Sequence, residues 1–93
     1  MIERLSLNSL KFFYYVARYD SVTIAAEKLF VTQGAVSKQL KNLEEALGRR
    51  LFIRDGKKLQ LTEDGLALFD CCEQVFPQID QCLVQMTRKK KNE

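Results

Sequence analysis

The chain has 93 residues, 46% of them hydrophobic and 29% charged, with a formal net charge of +3. That length permits one small domain with a modest core, and the composition is that of a globular, soluble chain rather than a disordered one. No run approaches the ~20 apolar residues of a membrane span, and the opening MIERLSLNSL lacks a signal-peptide pattern, so a cytoplasmic protein without a membrane partner is expected.

Chemistry has few residues to stand on. Histidine is absent, which removes the commonest general base. There is no Gly-rich phosphate loop, no G-x-S-x-G and no defensible pair of carboxylates. The three cysteines, Cys71, Cys72 and Cys82, include no C-x-x-C pair, so neither a zinc site nor a disulfide framework is expected. No catalytic residue, cofactor or metal is predicted, and the chain is read as a non-enzyme.

In chain order, Leu10, Phe13, Tyr14 and Ala17 recur at i, i+3, i+4 and i+7, with Phe12 and Val16 broadening the stripe. This spacing predicts a helix from about Ser9 to Arg18 whose aromatic side is core; a base-stacking platform is the less economical reading. Asp20 and Ser21 then supply a turn and an N-cap for a helix over about Val22 to Leu29. Ala25 and Ala26 let a crossing helix come close. Phe30 stands where many helix-turn-helix proteins place glycine, which implies a different turn or a strained residue.

Thr32 is a good N-cap for a third helix from Gln33 to about Leu47, with Val36, Leu40, Leu43 and Leu47 as its apolar stripe and Gly48 as its stop. The opposite side carries Gly34, Lys38 and Lys41, flanked by Gln33 and Ser37, with no acid before Glu44 and Glu45. Gln can pair bidentately with adenine, Ser with base edges or phosphate, and Lys with guanine or phosphate. Gly34 would let the backbone approach closely. The alternative is an ordinary amphipathic helix with a solvated polar face.

The stretch LFIRDGKKLQLT breaks the helical period. Leu51 to Arg54 and Leu59 to Leu61 are short strand candidates around the hairpin signal Asp55-Gly56. Arg54, Lys57 and Lys58 make the tip basic, as a wing contacting phosphates or the minor groove would be; a merely solvated hairpin is the plainer reading. Thr62 then caps a long helix in which Phe69, Cys72, Phe76, Ile79, Leu83 and Met86 fall at spacings of 3, 4, 3, 4 and 3. That heptad-like seam predicts a dimer interface between antiparallel or crossing copies, with folding back on the domain's own core as the alternative. Pro77 should kink the helix locally. Charge is uneven along the chain. Residues 1–50 carry eight Lys/Arg against five Asp/Glu, residues 51–62 three against one, and residues 63–93 four against six, all four of the last bases lying in Arg88 to Lys91.

The fold class predicted is mostly α. Residues 1–62 would form a winged helix-turn-helix (three-helix core plus two-stranded wing), residues 63–88 a linker (dimerisation) helix, and residues 89–93 a basic, frayed tail.

The run AAEKLFVTQGAVSKQLKNLEEALGRRLFIRDGKKLQLTEDG resembles the N-terminal DNA-binding domain of LysR-type transcriptional regulators. The matching pieces are AAEKL, VTQ, AVS, LE, LG, LF and LTEDG; LNSLKFF matches the family's first helix, and the LNSL opening is similar to the glycine-cleavage-activator branch. Residues 5–90 are covered. The family usually has proline where this chain has Gly34, so this end of the helix is less rigid here. The resemblance implies a homodimer formed through linker helices. It implies as its operator an interrupted inverted repeat in double-stranded DNA, with half-sites beginning in T and ending in A. By position it implies base contacts from Gln33, Ser37 and Lys38, phosphate contacts from Thr32 and Lys41, and Arg54 as the minor-groove residue of the wing. It further implies a following effector-binding domain of two α/β lobes, beyond Glu93 and absent from this sequence, and RNA polymerase as a partner of a full-length form. Two other classes compete: a dimerisation partner or competitor of full-length regulators, and a protein-interaction module that uses the winged fold without DNA.

Overall fold

Side-chain hydroxyls set most of the helix starts. The computed structural model describes residues 1–56 and 58–91, the last three of them as backbone only. After a short 3-10 turn at Ile2–Arg4 come α1 (Leu7–Tyr19), α2 (Val22–Leu29), α3 (Gln33–Leu47), β1 (Phe52–Asp55), β2 (Lys58–Leu61) and α4 (Glu63–Lys91). The Ser21 hydroxyl accepts from the Ile24 amide at 3.0 Å, and Thr32 accepts from Ala35 at 3.1 Å. Thr62 accepts from Gly65 at 3.0 Å while donating to the Arg50 carbonyl at 2.7 Å. Each cap answers an amide that the first helical turn leaves unpaired.

The core is built outward from Phe13, Val16, Val36 and Leu43, which are almost wholly enclosed. Ala25 and Ala26 are buried where α2 meets its neighbours, so the helix pair is closed by methyl groups rather than bulky side chains. Phe52 of β1 packs its ring 5.3 Å from that of Phe13, which fastens the hairpin to the helices. The strands pair antiparallel with Phe52 opposite Leu61, Ile53 opposite Gln60, Arg54 opposite Leu59 and Asp55 opposite Lys58. β1 extends one residue beyond the predicted strand, so Asp55 ends the strand and Gly56, with φ 64°, begins the turn.

The structure corrects the reading of α4. Phe69 and Phe76 lie 5.7 and 5.3 Å from the ring of Tyr14, and Cys72 is only 6% exposed. The first half of the heptad-like stripe therefore closes the chain's own core, because α1 presents more aromatic surface than α2 and α3 can cover. Ile79, Leu83 and Met86 remain 49, 56 and 62% exposed. The helix continues past Pro77 and through Lys91, so residues 89–91 are helical rather than a tail; residues 92 and 93 lie outside the described residues. No described helix is long and apolar enough to cross a membrane.

α4 is held against the hairpin by a close approach at Gly65. A Cβ there would run into the Leu51 carbonyl oxygen and stand 3.0 Å from Leu61 Cδ2. Because the obstacle is backbone, Gly65→Ala should cost about 2 kcal/mol or more. A thermal melt would show this as a Tm lower by roughly 10 °C, and an unchanged Tm would mean that α4 does not sit this close.

Candidate DNA interface

The polar side of α3 is open to solvent. Thr32, Gln33, Gly34, Ser37, Lys38 and Lys41 are all exposed, while Val36, Leu40 and Leu43 face inward. The inward stripe fixes the helix's rotation, and so fixes which residues point out. Thr32 Oγ1 accepts from the Ala35 amide, and a hydroxyl that accepts in this way can still donate its proton to an anion. With the first turn's amides also lying at this end, the local field favours negative charge. A Cβ built on Gly34 would meet nothing nearer than Thr32 Oγ1 at 4.0 Å. The fold itself does not require glycine there.

The hairpin divides its charges. Paired residues share a face, so Arg54 projects on the side of Phe52, opposite Leu59, while Lys58 projects on the other side, directly opposite Asp55. Arg54 and Lys58 are both exposed. Lys57, also predicted for this tip, lies outside the described residues. The tip therefore offers a cation on each face rather than a single cluster, and the Arg54 face carries no opposing acid in the register.

Two groups escaped the sequence analysis. Glu44 Oε2 accepts from the amides of Leu51 at 2.6 Å and Phe52 at 3.2 Å, and from Arg50 Nε at 3.3 Å. One carboxylate oxygen thus fastens the end of α3 to the start of the wing, and Arg50 also donates to the Phe52 carbonyl at 3.1 Å. No local signal marks Glu44, since its partners stand six to eight residues away across the Gly48 turn. The second group ties α1 to α4: Tyr14 donates its hydroxyl proton to Glu73, and Arg18 donates to the Tyr14 oxygen at 3.1 Å. Burial first, and the Glu73 carboxylate second, raise the Tyr14 pKa above its ordinary value, so the phenol stays protonated and able to donate.

The remaining candidates fall into two sets. Phe69, Cys72 and Phe76 belong to the core, whereas Ile79, Leu83 and Met86 share the outer half of α4 with exposed Val75 and Val84. Burial, with a smaller contribution from Cys71, pushes the Cys72 thiol up to about 11, which keeps it a neutral apolar filler with little nucleophilic character. Among the described residues no group of His, Cys, Asp or Glu could hold a metal ion.

A three-helix core, a second helix crossing a third with an open polar N-terminal end, and a basic hairpin beside it define a winged helix-turn-helix domain of the nucleic-acid-binding kind. Residues 7–66 match the model of the bacterial regulatory helix-turn-helix proteins of the lysR family, and the chain belongs to that family. It is a DNA-binding module of transcriptional regulators and not an enzyme. It is 48% identical over 83 residues to the glycine cleavage system transcriptional activator of Escherichia coli K12, covering 89% of this chain and 26% of that protein. It is 42% identical over 84 residues to the transcriptional regulator TrpI of Pseudomonas aeruginosa, covering 90% of this chain and 28% of TrpI. The chain thus spans a little over a quarter of the length of these relatives. Its fold superposes on the crystal structure of a BenM_DBD/catB site 1 DNA complex with a TM-score of 0.79 at 31% identity, over 96% of this chain and 98% of that one.

The Glu44 contacts give a direct check on wing placement. Glu44→Ala leaves two amides at the start of β1 without their partner, at a cost of about 2–3 kcal/mol. Hydrogen exchange at Leu51 and Phe52 should accelerate accordingly, with Glu44→Gln intermediate. Unchanged protection at both amides would show that the carboxylate does not hold the wing.

Proposed function

We propose that this domain reads an interrupted inverted repeat in double-stranded DNA as a homodimer in the cytoplasm, residues 1–62 binding DNA and residues 63–88 acting as the dimerising linker. The observation that carries the reading is the acid-free, exposed face of α3 from Gln33 to Lys41, aimed outward by its buried stripe. Gln33, Ser37 and Lys38 take the base edges, with Thr32 and Lys41 on flanking phosphates and Gly34 allowing the backbone in. Arg54 enters the minor groove or holds its phosphates, and Lys57 and Lys58 add charge without sequence preference. The BenM_DBD complexes, solved with DNA, support this placement of a domain of the same fold.

Dimerisation follows from what α4 leaves uncovered. Val75, Ile79, Leu83, Val84 and Met86 form an apolar stretch of the sort that monomers rarely leave open. Acids Glu63, Asp64, Asp70 and Glu73 precede it, Asp80 lies within it, and the bases Arg88 to Lys91 follow it. An antiparallel pair of α4 helices sets each acidic half against the other copy's basic end, while a parallel pair stacks like charges. In a full-length form, an effector domain beyond Glu93 would govern this dimer, and RNA polymerase would be its partner, as the name transcriptional activator carried by relatives suggests.

A fluorescence-anisotropy titration with an inverted-repeat duplex and a scrambled duplex, at several salt concentrations, tests the reading. Tighter binding to the repeat with a steep salt slope is expected. Gln33→Ala should lower the preference for the repeat by about 1–3 kcal/mol, whereas Lys58→Ala should weaken both duplexes alike and flatten the slope. Equal losses on both duplexes for Gln33→Ala would remove it from base reading. Dimer formation has its own check: Leu83→Asp should leave the circular-dichroism melt of the domain in place but give a monomer in sedimentation. A dimer persisting in that variant would move the interface elsewhere.

A further inference from the structure

Every backbone polar group from the Arg50 carbonyl to the Phe52 carbonyl is held at the entrance to the wing. The Arg50 carbonyl accepts from Thr62 Oγ1 at 2.7 Å, and the Leu51 carbonyl from the Thr62 amide at 3.0 Å. The Leu51 and Phe52 amides donate to Glu44 Oε2, and the Phe52 carbonyl accepts from Arg50 Nη2 at 3.1 Å. Thr62 follows β2 directly, so its bonds close the hairpin on itself. Of the residues in this set, Glu44 is the one that belongs to α3. The chain returns to it through a left-handed closure at Gly48, φ 65°, in which Arg49 donates to the Glu44 carbonyl at 3.2 Å. The same closure ends α2 at Phe30, φ 58°, whose ring is 94% exposed.

A carboxylate suits that place in a helix poorly. Glu44 lies in the last turn of α3, where the negative end of the helix dipole disfavours it, and its side chain is only 17% exposed. The helix gains nothing from this residue; the hairpin does. Yet the hairpin is already fastened to the core. Leu51 and Phe52 are 2 and 7% exposed, and the Phe52 ring packs against Phe13. Apolar packing resists separation but has no direction, so it leaves the hairpin free to pivot about the ring. Directional hydrogen bonds to α3 remove that pivot. Arg54 follows Phe52 on the same face of β1, roughly 7 Å further along the strand. We infer that Glu44 is a positioning residue for DNA reading. By tying β1 to the helix that presents Gln33, Ser37 and Lys38, it holds Arg54 at a set offset from those side chains, so that major-groove and minor-groove contacts form together. The inference rests on the DNA-reading function proposed above. Arg50 holds the Phe52 carbonyl, but its side chain is 71% exposed, and an ion pair so open to water contributes little. The weight falls on the bonds from the Leu51 and Phe52 amides. A preset offset spares the domain the cost of ordering its wing during binding.

The test titrates the whole chain, well below its Tm, against the inverted-repeat duplex and two altered forms of it. In one, A·T pairs adjoining each half-site become G·C, a change the minor groove reports; in the other, a pair inside each half-site is exchanged. The ratios of affinity give one preference for the wing and one for α3. Arg54→Ala sets the scale, lowering the wing preference on the order of fivefold and leaving the α3 preference in place. Glu44→Ala should do the same, and adding it to Arg54→Ala should cost little more, because both act through one contact. Glu44→Gln keeps an oxygen for the amides and should recover part of the loss. A merely structural role would lower the folded fraction, weakening all three duplexes by one factor and moving neither preference. That result overturns this inference alone, as do losses that add in full in the double variant or an equal erosion of both preferences. An Arg54→Ala variant with the wing preference intact overturns the wing's part in DNA reading and this inference together, as does failure of the unsubstituted chain to prefer the repeat.

Discussion

The close approach of α2 and α3 is the constraint from which the rest of the molecule follows. Ala25 and Ala26, both buried, let the two helix backbones come together with only methyl groups between them. Val36, Leu40 and Leu43 then turn α3 so that its apolar side faces Phe13 and Val16. Once that rotation is set, the outward side of α3 has no freedom left: Gln33, Ser37 and Lys38 must point away. A larger side chain at either alanine would push α3 outward and tilt its N-terminal turn, changing the presented face without touching any residue on it. The face that α3 presents is therefore a consequence of packing, and the residues that control it most are among the least polar in the chain.

A second consequence concerns what the small core leaves over. Three short helices cannot enclose the aromatic side of α1, and α4 completes it with Phe69, Cys72 and Phe76 around Tyr14. The hydrogen bond from buried Tyr14 to the half-exposed Glu73, with Arg18 beside it, ties α4 to α1 where α4 leaves the domain. Beyond Phe76 the helix runs alongside the end of α1 and its apolar residues Ile79, Leu83 and Met86 are about half exposed or more. One helix thus serves two environments in succession. The direction in which the outer part of α4 projects is therefore inherited from its contact with α1.

The helices were legible in the residues because their signals are local. Ser21, Thr32, Thr62 and Gly48 mark their boundaries by chemistry acting within one turn, and α2 and α3 begin and end where those residues place them. The polar face of α3 was equally legible, since its periodicity names the residues that point away from the stripe. The seam of α4 was less so: a heptad pattern states that one face is apolar, but not which surface covers it. Phe69, Cys72 and Phe76 could be assigned to the core only once the position of Tyr14 was known. Glu44 was hidden for a related reason. Its role depends on three partners brought back by the turn at Gly48, and a glutamate late in a helix looks like any solvated one.

The two left-handed closures show how far local rules reach. At Gly48 the residue and the backbone agree, and the helix stops where the sequence says it should. At Phe30 they disagree, by an amount on the order of 1–2 kcal/mol, in a domain small enough for that to matter. Nothing inside the domain offsets the cost, because the ring makes no buried contact. The turn between α2 and α3 must close as it does to place α3, so the backbone conformation belongs to the fold, whereas the side chain does not. A strained conformation filled by the wrong residue for stability, next to the exposed polar face of α3, is a feature whose explanation has to lie outside the isolated chain.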